Sequence, residues 1–576
     1  MMFLFIALIG VDLVTPLLSS DIVNLVEIKT PSGWVRGYEE IYDDGETYRF
    51  IKIPYAQPPI GDLRFQKTKP IGEWEGVRGI RGTNAPQCPQ MTFPSPGFDT
   101  LETDEDCLYL NIYVPGKISR DRKLSVMVWI HGGGFIAGGA SQFKPQKLVL
   151  GGDVIVATIN YRLGLFGFLT LHDALAPGNY GLWDQIEALR WIQNNIAAFG
   201  GNPKSVTIFG SSSGGMSVSL HTLIPSNEGM FQRVISQSGV VNYFTIARRQ
   251  EEKQTNELLF LKTGCLGKES IKETLKCLRN IPVNDLIEAI SMFEFAKPLN
   301  VSFEVGSMIP TIDGELIKEN LFYPKSWDND VYHFFRSIDF MSGTQDGEGN
   351  LAFLFLTPDI QEKFEFGASD FVPKSVLCET FAAVYVDKVA GNSPKITHEI
   401  CDFYTSDKER DEQSNKVLEF FGDSWFIGPS NNMLSIHATN NDRAKTFQYL
   451  LTKPGPIQCL PMDPPSWIKG AGHEEELHLL FMTNTDHVQT EKMSNRDGDE
   501  IDQLSKTVIK YWTNFAKYGN PNSDSVPHWP SYESTAKRYV ILDTPIKRGE
   551  NLKPGATEIV TKALNKGRPK GNHDEL

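Results

Sequence analysis

Apolar runs of strand length alternate with amphipathic stretches between residues 124 and 238. LSVMVWI (124–130) and DVIVATIN (153–160) are nearly continuous apolar runs, the second rich in Val and Ile. Such runs suit strands covered on both faces. GLWDQIEALRWIQNNIAAFGGNP (181–203) then carries Leu182, Ile186, Leu189, Ile192 and Ile196, in steps of three and four that mark one helical face. Gly200, Gly201 and Pro203 predict its end. SVTIF (205–209) predicts a third strand, the segment from Ser213 through MSVSLHTLI a second helix, and RVISQS (233–238) a fourth strand. This alternation predicts an α/β fold, a mostly parallel central sheet covered by helices on both faces. In such sheets the site lies at the carboxyl ends of the strands.

No internal repeat or low-complexity block interrupts the chain, which predicts a single domain over 21–565 within 576 residues. The net charge of −15 comes without any Lys/Arg-rich run, so a nucleic-acid partner is not expected. MMFLFIALIGVDLV holds an apolar run from Phe3 to Val11, the length of a signal-peptide core and too short to span a bilayer. A signal peptide over 1–20, cleaved near Ser20, is the expectation. No later apolar run reaches membrane-spanning length. The tail 566–576 ends in His573, Asp574, Glu575 and Leu576, an HDEL address read by the ER-retention receptor. The two ends together predict an ER-lumenal protein. Seven cysteines suit that oxidising compartment. The spacings of Cys88 with Cys107 and of Cys265 with Cys277 could close short loops. Cys378, Cys401 and Cys459 leave at least one thiol unpaired within the chain. Asn300-Val301-Ser302 is a glycosylation sequon.

FGSSSGG (209–215) places three serines in the turn between the third strand and the second helix. A nucleophile on a strained strand-to-helix turn needs small neighbours two residues away, the G-x-S-x-G pattern. Gly210, Ser212 and Gly214 satisfy it. Centring on Ser211 meets Phe209, and centring on Ser213 meets Ser211, so the pattern selects Ser212. WIHGGGF (129–135) closes the 124–130 strand with a glycine run that offers backbone N–H groups. Gly133 and Gly134, with the N–H of Ser213, are the expected oxyanion donors. A phosphate loop is disfavoured, because the run has neither a G-K-[ST] ending nor a G-x-G-x-x-G frame. GAGHEEEL (470–477) puts His473, the candidate base, on a Gly-rich loop before a helix-like acidic run. HEEELH fits no zinc motif: His473 and His478 are five apart, and position 477 is Leu, so no metal is expected. HFFRSIDFMSGTQDGEGN (333–350) offers a strand and then two candidate acids, Asp346 and Glu348, between which spacing does not choose.

Longer blocks carry a resemblance. IPYAQPPIGDLRF (53–65), EDCLYLNIY (105–113), HGGGF (131–135), NYRLGLFGFL (160–169), GNYGLWDQIEALRWIQNNIAAFGGNP (178–203) and YWTNFAKYGNPN (511–522) resemble the type-B carboxylesterases of the carboxylesterase/cholinesterase family, among them the ER-resident esterases of liver and gut. The match runs nearly end to end. The resemblance implies an α/β-hydrolase fold and hydrolysis of carboxylic esters, as small-molecule substrates, by a Ser-Glu-His triad without a cofactor. GTQDGEG (343–349) resembles the family's acid loop and selects Glu348; GAGHEEEL resembles its histidine block and supports His473. The disulfides Cys88–Cys107 and Cys265–Cys277 are implied in the same way. Ser211 and Ser213 depart from the family, which usually has Glu before the nucleophile and Ala after it, and Lys52 stands where the family often has Gly. Relatives on this fold that act in adhesion without catalysis typically lack triad members, whereas all three candidates are present here. The loop 89–106 has no Trp, so the choline-binding aromatic of the cholinesterases is missing.

Overall fold

The computed structural model describes residues 24–79, 84–91, 102–290, 308–318, 330–367, 370–405, 410–455, 465–482 and 495–566. The expected signal peptide (1–20), Asn300, Cys459 and the HDEL residues lie outside the described residues.

Thirteen strands join in one sheet among the described residues. The N-terminal strands are Leu25–Thr30 (β1), Gly33–Tyr42 (β2), Gly45–Pro54 (β3), Val77–Arg78 (β4) and Tyr109–Pro115 (β5). The central and C-terminal strands are Leu124–Ile130 (β6), Ile155–Ile159 (β7), Gly201–Ser211 (β8), Arg233–Gln237 (β9), Asp339–Gln345 (β10), Thr446–Leu451 (β11), Arg538–Leu542 (β12) and Lys547–Glu550 (β13). Their order is β1-β2-β3-β5-β7-β6-β8-β9-β10-β11-β12-β13, with β4 beside β2. Every pairing from β7 to β12 is parallel, and both flanks are antiparallel except for the short parallel pairing of β4 with β2.

The period-two geometry of a strand explains the continuous apolar runs. Leu124, Val126, Val128 and Ile130 of β6 enter one core, and Met127 and Trp129 enter another on the opposite face. Ile155, Ala157 and Ile159 of β7 join the first core, and Val156 joins the second. The predicted helix spans Tyr180–Asn195 and lays Leu182, Ile186, Leu189 and Ile192 into the first core. Its last turn tightens into a 3₁₀ segment, Ile196–Phe199, and Gly200 (φ 89°) reverses the chain. The strand then starts at Gly201, four residues before the apolar run that predicted it. On the other face the helix Asn495–Tyr518 supplies Leu504, Val508, Tyr511, Trp512 and Phe515 to the second core.

The pairs Cys88–Cys107 and Cys265–Cys277 are disulfides, as the resemblance implies, and Cys378–Cys401 is a third. Lys52 also finds an account. It adopts φ 57° at an irregularity in the β3–β5 register between Phe50 and Ile53. Asn111 Oδ1 accepts its N–H at 3.1 Å, and its ammonium lies 5.6 Å from the centre of the Tyr109 ring. The left-handed backbone there is one that glycine adopts more cheaply.

Candidate active site

β8 delivers Ser212 at its carboxyl end. Ser212 has φ 56° and ψ −126°, and the helix Ser213–His221 begins at the next residue. A non-glycine residue in the left-handed region is strained, so the surroundings must hold it there. Ser212 N–H donates to Gln237 O on β9 at 2.9 Å, and Met216 N–H donates to Ser212 O at 2.9 Å. The flanking glycines are obligatory for packing. A Cβ on Gly210 would stand 2.5 Å from Ile130 O, and one on Gly214 only 2.1 Å from that same carbonyl. The turn thus packs directly against the end of β6, where the glycine run starts. Gly133 and Gly134 take φ 106° and 63°, and the Phe135 N–H donates to Ser213 Oγ at 3.1 Å. The glycine run and the serine turn are therefore tied together.

The strand β10 ends at Gln345, and the two candidate acids follow with separate partners. Glu348 Oε2 accepts from His473 Nδ1 at 2.6 Å, and its Oε1 accepts the Gln345 N–H at 2.9 Å. Asp346 Oδ1 accepts the Ala471 N–H at 2.8 Å and so holds the backbone of the histidine loop. Gly347 N–H donates to Ala471 O at 2.8 Å beside it. Because a carboxylate accepts at Nδ1, that nitrogen carries the proton, and Nε2 presents its lone pair. His473 is 4 % exposed and Glu348 fully buried. The Nε2 atom is buried with no hydrogen-bond partner among the described residues. The histidine–acid hydrogen bond is formed, and a serine–histidine hydrogen bond is not formed among the described residues. Such contacts are often long without substrate. The Phe426 ring stacks obliquely on the imidazole, with centroids 4.6 Å apart.

The acidic run after His473, expected to be helix-like, is a largely buried turn. Residues 473–476 form the turn, and a helix occupies only Leu477–Leu480. Glu476 Oε1 accepts from Ser211 Oγ at 3.0 Å and from Gln237 Nε2 at 2.8 Å, and Gln345 Nε2 donates to Oε2. Burial pushes the Glu476 carboxyl up to about 7 and the Glu475 carboxyl up to about 8. Burial acts on His473 in the opposite sense, disfavouring the charged ring. The charge and hydrogen bond of Glu348 outweigh it, with Glu474 and Glu476 adding to them, and the imidazole pKa is raised. His131, at the head of the glycine run, is driven down to about 4 by burial; it donates from Nδ1 to Gly132 O at 2.9 Å and stays neutral.

A parallel sheet, a strained serine turn and a histidine paired with a carboxylate at the strands' carboxyl ends are the features of an α/β-hydrolase. The carboxylesterase family profile matches residues 24–560, so the chain belongs to the carboxylesterase family. It is 31 % identical to rat carboxylesterase 1C (Rattus norvegicus) over 546 residues, 91 % of each chain. Carboxylesterase 5A of the cat (Felis catus) is 32 % identical over 554 residues, 92 % of each chain. A mouse (Mus musculus) acylcarnitine hydrolase is 32 % identical over 532 residues, 90 % of this chain and 87 % of its own.

Proposed function

We propose that the chain is a serine carboxylesterase that hydrolyses neutral carboxylic esters through an acyl-enzyme, with Ser212, Glu348 and His473 as its triad. The observation that carries this reading is the buried 2.6 Å contact from His473 Nδ1 to Glu348. It fixes the tautomer whose Nε2 can take a proton. His473 Nε2 removes the Ser212 proton as Oγ attacks the ester carbonyl. The N–H groups of Gly133, Gly134 and Ser213 hold the oxyanion. The protonated Nε2 then passes its proton to the departing alkoxide, and the alcohol leaves. Water, deprotonated by the same nitrogen, attacks the acyl-enzyme and releases the carboxylic acid and Ser212. No step draws on a cofactor. The Trp-free loop 89–106 supports neutral over choline esters.

Ser212→Ala tests the scheme. The expected loss in kcat is about 10⁴–10⁶-fold, by analogy with other serine triads. Ser213→Ala is expected to keep substantial activity, because its donor is the backbone N–H. Activity retained in Ser212→Ala and lost in Ser213→Ala would overturn the assignment. The ester panel includes an acylcarnitine and a choline ester beside uncharged isosteres; a kcat/KM favouring the choline ester removes the neutral-substrate reading. The same proposal places the enzyme in the ER lumen, with its HDEL tail held by the retention receptor and Asn300 glycosylated.

A further inference from the structure

The loop that carries His473 holds a second group beside the nucleophile, one that the acyl-transfer scheme does not use. Glu474 adopts φ 65°, a conformation that costs a side-chain-bearing residue about 1–2 kcal/mol. That backbone turn carries its carboxylate toward the glycine run. Glu474 Oε1 lies 2.6 Å, and Ser212 Cβ 3.0 Å, from the point where a Cβ on Gly132 would stand. The absent side chain at Gly132 is what leaves room for the carboxylate next to the serine. Of the three acidic residues in this turn, Glu475 and Glu476 are buried, and Glu474 is half-buried. Ser211 adds no charge here, since its hydroxyl is turned to Glu476 at 3.0 Å. A negative charge thus borders Ser212 from the histidine side.

We propose that Glu474 is a positioning and charge-selecting residue. Held beside Ser212 and Gly132, its carboxylate favours the protonated His473 of the transition state and repels acyl groups that bear a negative charge near the ester carbonyl. The proposal rests on the triad reading above and adds a specificity to it. A strained residue next to the reacting centre persists only where its surroundings enforce it. A fixed charge within a few ångströms of the reacting atoms changes the energy of every other charge there. The other ionisable groups around His473 are Glu348 from the loop after β10, Glu476 and Glu475 from its own turn, and Asp346 behind Ala471. Tyr449 of β11 feels the charges of Glu476 and Glu348, and Tyr161, packed on the neutral His131, feels that of Glu474. Burial keeps Glu475 protonated up to about pH 8 and Glu476 up to about pH 7, and Lys553 faces Asp346, so the charge that reaches the imidazole comes chiefly from Glu348, and Glu474 adds to it.

The test measures kcat/KM against pH for p-nitrophenyl butyrate and for the monoanionic p-nitrophenyl half-ester of succinate, in the full chain and in Glu474→Gln. The base acts when neutral, so removing a carboxylate lowers the His473 pKa and moves the acid limb to lower pH. The expected move is about one pH unit. At pH 8 the ratio of kcat/KM for the anionic to the neutral ester is expected to rise about tenfold. The readouts are the limb's position and this ratio, not the height of the plateau. Glu474→Gly carries the same test if the Gln variant does not fold, since glycine accepts φ 65° without strain. A limb or a ratio that stays at the wild-type value, in a folded variant that a fluorophosphonate still labels at Ser212, overturns the proposal. Activity retained in Ser212→Ala would instead overturn the triad reading beneath it.

Discussion

Glu348→Gln separates the two acids that follow β10, and its effect can be worked from their contacts. The carboxylate accepts at both oxygens, from His473 Nδ1 at 2.6 Å and from the Gln345 N–H at 2.9 Å. An amide has one acceptor. If its oxygen stays on Gln345, its NH₂ faces Nδ1, the ring proton moves to Nε2, and Nε2 cannot take the Ser212 proton. If the amide turns over, its NH₂ meets the Gln345 N–H, a buried donor–donor clash worth roughly 1–3 kcal/mol. Either way the imidazolium formed in the transition state loses its counter-charge. A charge pair about 4 Å apart is worth about 4 kcal/mol at the effective dielectric of a protein. The sum is about 5–7 kcal/mol, so kcat/KM is expected to fall about 10⁴-fold or more. The loss of the charge also lowers the His473 pKa, so what activity remains extends to lower pH. Asp346→Asn is the control. Its oxygen still accepts the Ala471 N–H, and the expected loss is under about tenfold. Steady-state kinetics on a chromogenic ester decide between them, with circular dichroism and thermal melts to confirm folding. A Glu348→Gln enzyme within about tenfold of wild type, beside an Asp346→Asn enzyme down by about 10³, would refute the assignment of the acid.

Gly214→Ala is expected to destabilise the fold by about 1–3 kcal/mol or prevent folding. Its Cβ would stand 2.1 Å from the backbone carbonyl of Ile130, and urea unfolding measures the effect. Glu475, with its pKa pushed up to about 8 by burial, keeps its proton in the native state while the unfolded chain has lost it. Stability should therefore fall as pH rises from about 5 to 8, by up to about 1.4 kcal/mol per pH unit. Glu475→Gln should flatten that slope in Tm against pH, and a wild-type Tm that rises across this window would contradict the sign. Deleting His573 to Leu576 should send active enzyme into the medium of expressing cells, and unchanged intracellular retention removes the lumenal reading.

How far the sequence reveals the site depends on how local each interaction is. β6 matches its apolar run residue for residue, because a strand buried on both faces needs only its own composition to announce it. Ser212 is legible for a similar reason. The clash of Gly210 and Gly214 with Ile130 O is written into the turn itself as two glycines. The antiparallel strands β1 and β2 escape detection because most of their positions are exposed or half-buried, with few buried ones to mark a face. Asp346 and Glu348 are two residues apart, and a preference between them came only from resemblance. Their separate partners, Ala471 and His473, are about 125 residues away in the chain. The run Glu474–Glu476 shows the same limit in reverse. Three consecutive glutamates suggest a solvated face, because burying a carboxylate without partners is costly. Ser211, Gln237 and Gln345, each more than 130 residues away, supply donors to Glu476, and their convergence exists only in the folded sheet. Charge near the proposed triad is therefore set by the histidine loop and the acid loop rather than by the serine turn. A departure such as Ser211 has to be weighed against Glu474 and Glu476, not against its own position alone.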